Sequence, residues 1–272
     1  MSTKITVIEQ LKNEPKNLGL KVLLILGLIG VGILGVVYID YNGFTEFGLT
    51  VMWNISKSIF TPNTALLFGE GKNGVLFLIT ETAAIAFLGT IIGTIVSIPI
   101  AFLSSRNIVP GWMANIGVAF ITVVRTFPAV VYGLMFIRVT GPGAFTGVLT
   151  LAVASVGMIS KLFIEVIEDL DPGIIEALDA AGCNGIQKVQ YGIVPQLMGN
   201  FASTAIYRFE INVKYATILG MVGAGGIGAP LIFAITAYRW ADTGALLIGL
   251  IIFVLIVEYG SAKIRKKLAT GE

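Results

Sequence analysis

Asp171 to Pro195 reads DPGIIEALDAAGCNGIQKVQYGIVP, a polar stretch set into a chain otherwise made of long apolar runs. Asp171 is a good N-cap and Pro172 suits the first helical position. A helix is expected from there to about Ala181, closed by Gly182 in the left-handed conformation. Asn184, with Gln187 three residues on, has the spacing of a capping box and opens another short helix. Pro195 then marks the entry to the next apolar run. From Glu165 to Pro195 the acids are Glu165, Glu168, Asp169, Asp171, Glu176 and Asp179, against Lys188 alone. Anionic lipid would repel such a loop, whereas Ile174, Leu178 and Ala181 give it an apolar face. A groove on a partner protein is the expected resting place.

Working outward, the 272 residues are 56% hydrophobic and only 12% charged. Soluble domains carry about 25% charged residues, so the chain reads as an all-α, polytopic membrane protein. A formal net charge of +2 gives no reason to expect a nucleic-acid partner. There is no histidine, which removes His-based triads and His metal ligands; no catalytic residue and no metal site are expected. Cys183 is the lone cysteine, so no intrachain disulfide can form.

A helix needs ~20 apolar residues to cross the hydrocarbon core. Six stretches qualify as candidates: Val22–Ile39, Thr82–Leu103, Trp112–Ile137 (broken only by Arg125), Val139–Ser160, Pro195 to about Val222, and Ala241 to about Val257. Tyr215–Tyr238 is long enough for a seventh, but the Lys/Arg bias of the loops decides against it. With six spans Lys4, Lys12, Lys16, Lys21, Arg106, Lys161, Lys188 and the Lys263–Lys267 cluster share one side, while Lys57, Lys72, Arg138 and Arg239 lie opposite. Both termini are then cytoplasmic. The expected organisation is an N-terminal cytoplasmic segment 1–21, one transmembrane domain 22–262 containing the polar loop 165–195, and a cytoplasmic tail 263–272. No small-residue cleavage site follows the first apolar run, so it does not read as a cleavable signal. Phe44–Phe60 is expected as an interfacial helix and Phe68–Gly74 as a loop.

Gly89, Gly93, Ser97 and Ala101 recur every four residues, a spacing that lets two helix backbones approach closely in lipid, within the chain or between subunits. Pro99 is expected to kink that helix. Gly223-Ala224-Gly225-Gly226-Ile227-Gly228 matches G-x-G-x-x-G, but it follows a membrane helix rather than a strand, so a dinucleotide site is rejected. Gly223, Gly225, Gly226 and Gly228 read instead as a turn, compatible with a hinge or gate. Gly71-Lys72 is followed by Asn73 and lacks the leading glycine of a Walker A loop. An ATP-driven machine would need its ATPase in another chain.

Arg125, Arg208, Glu210 and Lys214 are the ionisable residues deepest in the spans, where each costs several kcal/mol unless it faces protein or water. Glu210 and Lys214 can pair along one helix face. Counted from Trp112 and Pro195, both arginines fall ~20 Å from the inner face, an excess of positive charge suited to an anion. A structural ion-pair network is the other reading of these four residues.

Glu176-Ala177, Gly182 and Pro195 thirteen residues later resemble the cytoplasmic coupling loop of binding-protein-dependent ABC importer permeases. Gly192 departs from the pattern, which often has Ile there. GIQKVQYGIVPQ (Gly185–Gln196), IYRFEINVKYATILGMVGAGGIG (Ile206–Gly228), Arg125-Thr126-Phe127-Pro128 and Gly141-Pro142-Gly143 with Gly147-Val148-Leu149 are similar to the phosphonate/phosphite branch. Ala129 stands where relatives often have Glu, so no role for that carboxylate carries over. The resemblance, over roughly Thr80–Gly228, implies the ABC importer permease fold with Asp171, Glu176, Ala177, Leu178, Gly182 and Pro195 meeting the ATPase. It also implies a homodimer in a bacterial cytoplasmic membrane, two ATPase subunits holding ATP and Mg, an extracytoplasmic binding protein, and no cofactor in this chain. Phosphonates or related phosphorus oxyanions are the implied cargo. The alternatives are another small solute such as methionine, an ion-coupled secondary transporter, or a scaffold. The secondary-transporter reading is disfavoured for want of an internal repeat or broken mid-membrane helices.

Overall fold

A computed structural model describes residues 18–39, 45–69, 71 and 73–270. Lys4, Lys12, Lys16, Phe44 and Lys72, used in the sequence reading, lie outside the described residues. The chain divides into two units, residues 1–51 and 52–272. In the first, helix α1 (Leu18–Tyr38) covers the first expected span. Helix α2 (Glu46–Ser58) takes the place of the expected interfacial helix.

The second unit continues with α3 (Thr64–Leu67), α4 (Val75–Ser104), α5 (Gly111–Thr126), α6 (Ala129–Thr140), α7 (Ala144–Glu168) and α8 (Pro172–Ala180). It ends with α9 (Gly185–Gln187), α10 (Val194–Met221), α11 (Gly228–Thr236) and α12 (Trp240–Thr270). Among the described residues there is no strand. Among the described residues four helices, α1, α4, α7 and α12, are long and apolar enough to cross a membrane, and the pair α5–α6 makes a fifth if counted as one broken span. Helix α10 has the length, 28 residues, but carries Arg208, Glu210 and Lys214.

Helices run past the charge-free windows that located them. Helix α4 starts seven residues before Thr82 and contains Glu81, because its start follows the extended Gly74 rather than the last charge. Pro99 lies within this helix, which continues through it to Ser104. Helix α12 continues through Lys263–Lys267, residues that favour helix in water as well as any apolar one.

The stretch Trp112–Ile137 is not one continuous helix. Its two helices are bent by 81° at Phe127-Pro128. Proline has no N–H to donate and drives the preceding residue out of the helical region; Phe127 is extended at φ −88°, ψ 127°. One carbonyl freed by the break is recovered when the Tyr132 hydroxyl donates to Val124 O at 2.9 Å. This chain therefore does contain a broken helix pair, and a lack of one cannot count against a secondary transporter.

The core forms where α4 lies along α7. A Cβ on Gly89 would come within 2.6 Å of Leu151 Cβ, and one on Gly93 within 2.5 Å of Ser155 Cβ. The small-residue stripe is therefore an intrachain seam. Ser97 Oγ donates to Gly93 O of its own helix at 2.6 Å and shares that hydrogen with Val156 O across the seam at 3.3 Å. Gly93→Val is expected to push the helices apart and destabilise the chain by about 1–3 kcal/mol, read as a lower melting temperature in detergent. An unchanged melting temperature would refute the seam. Towards the polar loop the core turns aromatic, with Phe163 and Phe201 stacked at 4.2 Å and Phe102 edge-on to Phe201 at 6.3 Å.

Candidate functional site

The polar loop folds as its caps dictate. Asp171 Oδ1 accepts from Gly173 N at 2.9 Å, and Pro172 opens α8. Gly182 has φ +77°, its N–H donating to Asp179 O at 2.9 Å while Cys183 N donates to Leu178 O at 3.0 Å. Those two bonds make a Schellman closure. Asn184 and Gln187 exchange backbone-to-side-chain bonds of 2.8 and 2.9 Å, completing the capping box. A π-helical turn, Lys188–Ile193, then feeds α10; no rule of sequence spacing announces it.

Of the apolar face expected on this loop, Ala181 is exposed while Ile174 and Leu178 turn in part towards the π-helical turn. Ile174 and Leu178 are half-buried, and a Cβ on Gly192 would collide with Leu178 Cδ1 and lie 3.8 Å from Ile174 Cγ2. Gly192 is therefore the floor on which α8 rests, which gives the departure from the usual Ile a physical reason. Outward, the loop offers Glu176, Ala177 and Ala180, with the apolar side chains of Ile186 (79% exposed) and Tyr191 (67% exposed) beside them. Asp179 pairs with Lys188, and Glu165 with Lys161 at 2.8 Å. Glu168 Oε1 accepts from Arg106 N at 2.8 Å, and Asn107 Nδ2 donates to Ile167 O at 2.7 Å, which fastens the α4–α5 turn to the end of α7.

The four intramembrane charges separate into distinct groups. Glu210, buried on α10, meets Lys214 at 3.5 Å and Arg265 of α12 at 3.0 Å. Lys214 also reaches Glu258 at 3.5 Å, and the Arg265 guanidinium lies over the Tyr207 ring at 5.2 Å. These contacts strap α10 to α12. Arg265, from the basic cluster near the end of α12, therefore stands level with Tyr207 and Glu210 of α10.

Arg208 is 5% exposed and has no carboxylate partner among the described residues. Its Nε donates to Ser155 Oγ at 3.0 Å, its Nη1 to Met158 Sδ at 2.9 Å, and its guanidinium lies 5.9 Å from the Tyr215 ring centre. One turn along α10, the fully buried Asn212 donates through Nδ2 to Thr90 Oγ1 and to Ser155 Oγ, both at 2.8 Å. Arg125 is exposed, its stem seated on Gly157 of the same α7 turn, where a Cβ would come within 2.7 Å of Arg125 Cγ. Sequence reading missed Thr90, Ser155, Met158 and Arg265. The place of Asn212, four residues after Arg208 on one face, was the available signal.

The glycine segment is clamped. Gly223, Gly225 and Gly226 have φ of +102°, +81° and +74°. Gly143 N donates to Gly223 O and Ile227 N to Thr82 Oγ1, both at 2.9 Å. A Cβ on Gly225 would lie 2.7 Å from the Ala144 backbone, and one on Gly228 2.6 Å from Met221 N. The segment is thus bonded to Gly143, just before α7, and to Thr82 within α4.

A family model described as "Binding-protein-dependent transport system inner membrane component" matches residues 93–259. The chain is 35% identical over 214 residues to the phosphite transport system permease protein PtxC of Stutzerimonas stutzeri, covering 75% of this chain and 78% of that protein. It is 31% identical over 223 residues to the putative phosphite transport system permease protein HtxC of the same organism, covering 80% and 76%. Among solved structures, an inward-facing MetNI methionine ABC transporter chain aligns with a TM-score of 0.60 at 20% identity, covering 83% of this chain and 99% of that one. At that identity the likeness speaks to fold alone.

Proposed function

The chain belongs to the binding-protein-dependent transport system inner membrane component family, and from that premise we infer that it is the translocating subunit of an ATP-driven importer for phosphite, phosphonate or a related phosphorus oxyanion. The observation that carries the cargo class is the match over three quarters of both chains to a phosphite permease. The chemistry at Arg208 agrees with it: a buried guanidinium without a carboxylate suits an anionic cargo. Arg125 of α5, exposed beside the same turn of α7, adds to that positive field.

ATP and Mg bind to two separate ATPase subunits, since this chain carries no Walker A loop. A second copy of the chain completes the pathway, and an extracytoplasmic binding protein delivers the cargo. Glu176, Ala177 and the Asp171–Gly182 helix rest on the ATPase, with Ile186 and Tyr191 as apolar anchors. Closure of the ATPase pair draws the two loops together, and the movement travels along α7 and α10 to the clamped glycines Gly223–Gly228, which gate the outer side. The subunit lies in the bacterial inner membrane with both termini cytoplasmic, as a single permease domain over residues 22–262. The break at Phe127-Pro128 is a feature that ion-coupled transporters share, but the family assignment outweighs it.

Reconstitution with the ATPase and binding protein in proteoliposomes tests this reading. Phosphite uptake is expected to require ATP. Uptake that persists without ATP and follows a proton or sodium gradient would overturn the proposal. In whole cells, Cys183 is expected to react only with membrane-permeant maleimides; labelling by an impermeant reagent would put the loop on the wrong side for an ATPase.

A further inference from the structure

The polar cluster beneath Arg208 is built from three helices that share no sequence neighbourhood. Thr90 donates to Ala86 O at 2.6 Å and accepts from Asn212 Nδ2. Asn212 spends both amide hydrogens, one on Thr90 and one on Ser155. Ser155 Oγ therefore accepts twice, from Asn212 Nδ2 and from Arg208 Nε. A hydroxyl oxygen has two acceptor sites, so both are filled and the Nε edge of the guanidinium is pinned. Gly93 makes this possible, since any side chain there would drive Ser155 away. A guanidinium has five N–H donors; with one on Ser155 and one on Met158, three have no acceptor among the described residues. Asn212 Oδ1 is also buried without a partner. Neutral hydroxyls and an amide orient the charge but do not cancel it, and an uncompensated buried charge is strongly unfavourable.

We propose that Ser155 and Asn212 are positioning residues that hold Arg208 by its Nε edge so that its free N–H donors take one edge of a tetrahedral oxyanion, the cargo itself supplying the missing counter-charge. Two parallel N–H···O bonds from one guanidinium match two oxygens of a phosphite or phosphonate group. This rests on the importer reading above. Pinning by neutral groups is the essential point, because a carboxylate in the same place would hold the arginine equally well and compete with the cargo.

Asn212→Asp creates that competitor with almost no change in shape. In the reconstituted transporter with its ATPase and binding protein, phosphite uptake is expected to fall roughly tenfold or more, as a pre-formed ion pair must be broken for each anion carried. The melting temperature is expected to hold or rise, and to do so only while Arg208 is present. A purely structural network predicts the same stability, kept or improved, but with uptake retained, and that result would overturn the proposal. So would an equal stability change in an Arg208→Gln background, which reads the uncompensated charge without any cargo. Should Asn212→Asp fail to fold, Ser155→Ala decides: uptake reduced without loss of melting temperature supports positioning, and unchanged uptake overturns it. A wild-type transporter that carries another solute but no phosphite would sink the cargo assignment, while the stability cycle would still report on Arg208.

Discussion

Arg208→Gln is expected to lower oxyanion uptake by roughly two orders of magnitude, equivalent to about 3 kcal/mol in the rate-limiting barrier, while the folded chain becomes no less stable. The two halves of that expectation pull apart two roles for one residue. An arginine serving as a strut, paired across helices, would leave a buried unpaired charge on its partner when removed, at a cost of about 3–5 kcal/mol. Here the groups around the guanidinium are a hydroxyl, a thioether and the Tyr215 ring, all of them uncharged, and they tolerate its loss. Removing the charge relieves the uncompensated burial, so the melting temperature should hold or climb while transport collapses. Arg208→Lys should recover little, because an ammonium cannot satisfy Ser155 and present a fork at the same time. Uptake within twofold of wild type for Arg208→Gln would end the assignment of this residue to the pathway.

Gly182→Pro should abolish ATP-driven uptake and leave the chain in the membrane. At φ +77° this position lies far from the −65° that proline requires, and its N–H is bonded to Asp179 O. The substitution cannot keep the Schellman closure, so the end of α8 unravels where the ATPase is proposed to press. Strain at one such residue is worth about 3 kcal/mol or more, enough to dissolve a nine-residue helix held mainly by its caps and by Leu178 over Gly192. Gly182→Ala keeps the N–H and pays only the left-handed penalty of about 1–2 kcal/mol, so it should retain partial uptake. Glu176→Lys inverts an outward charge without touching the fold, and it too should separate ATP hydrolysis from uptake. Full uptake in Gly182→Pro would remove the loop from the transmission path.

The loop was legible because its determinants are local. Asp171, Pro172, Gly182, Asn184 and Gln187 each act within five residues, and each cap is in place. Apolar length likewise located α1, α4, α7 and α12, and small residues every four positions marked the face of α4 that packs on α7. What could not be read depends on distance. Thr90, Ser155 and Asn212 meet across separations of 57 and 122 residues, and nothing in a hydroxyl's local sequence says which amide it will find. Arg265 looked like one more cytoplasmic charge until Glu210 was found opposite it. The inward turn of Ile174 and Leu178 was hidden because their seat is a glycine, visible only as a missing side chain. At Phe127-Pro128 the signal was present, but the apolar run around it dominated the reading.

The elbow at Phe127-Pro128 carries a consequence for the surrounding solvent. Hydrocarbon tails cannot satisfy peptide groups released where a helix changes direction, and Tyr132 covers just one of those carbonyls. Arg125, Thr126, Phe127 and Pro128 are all exposed around the bend. That corner must therefore border hydration or a neighbouring polypeptide, never the acyl phase.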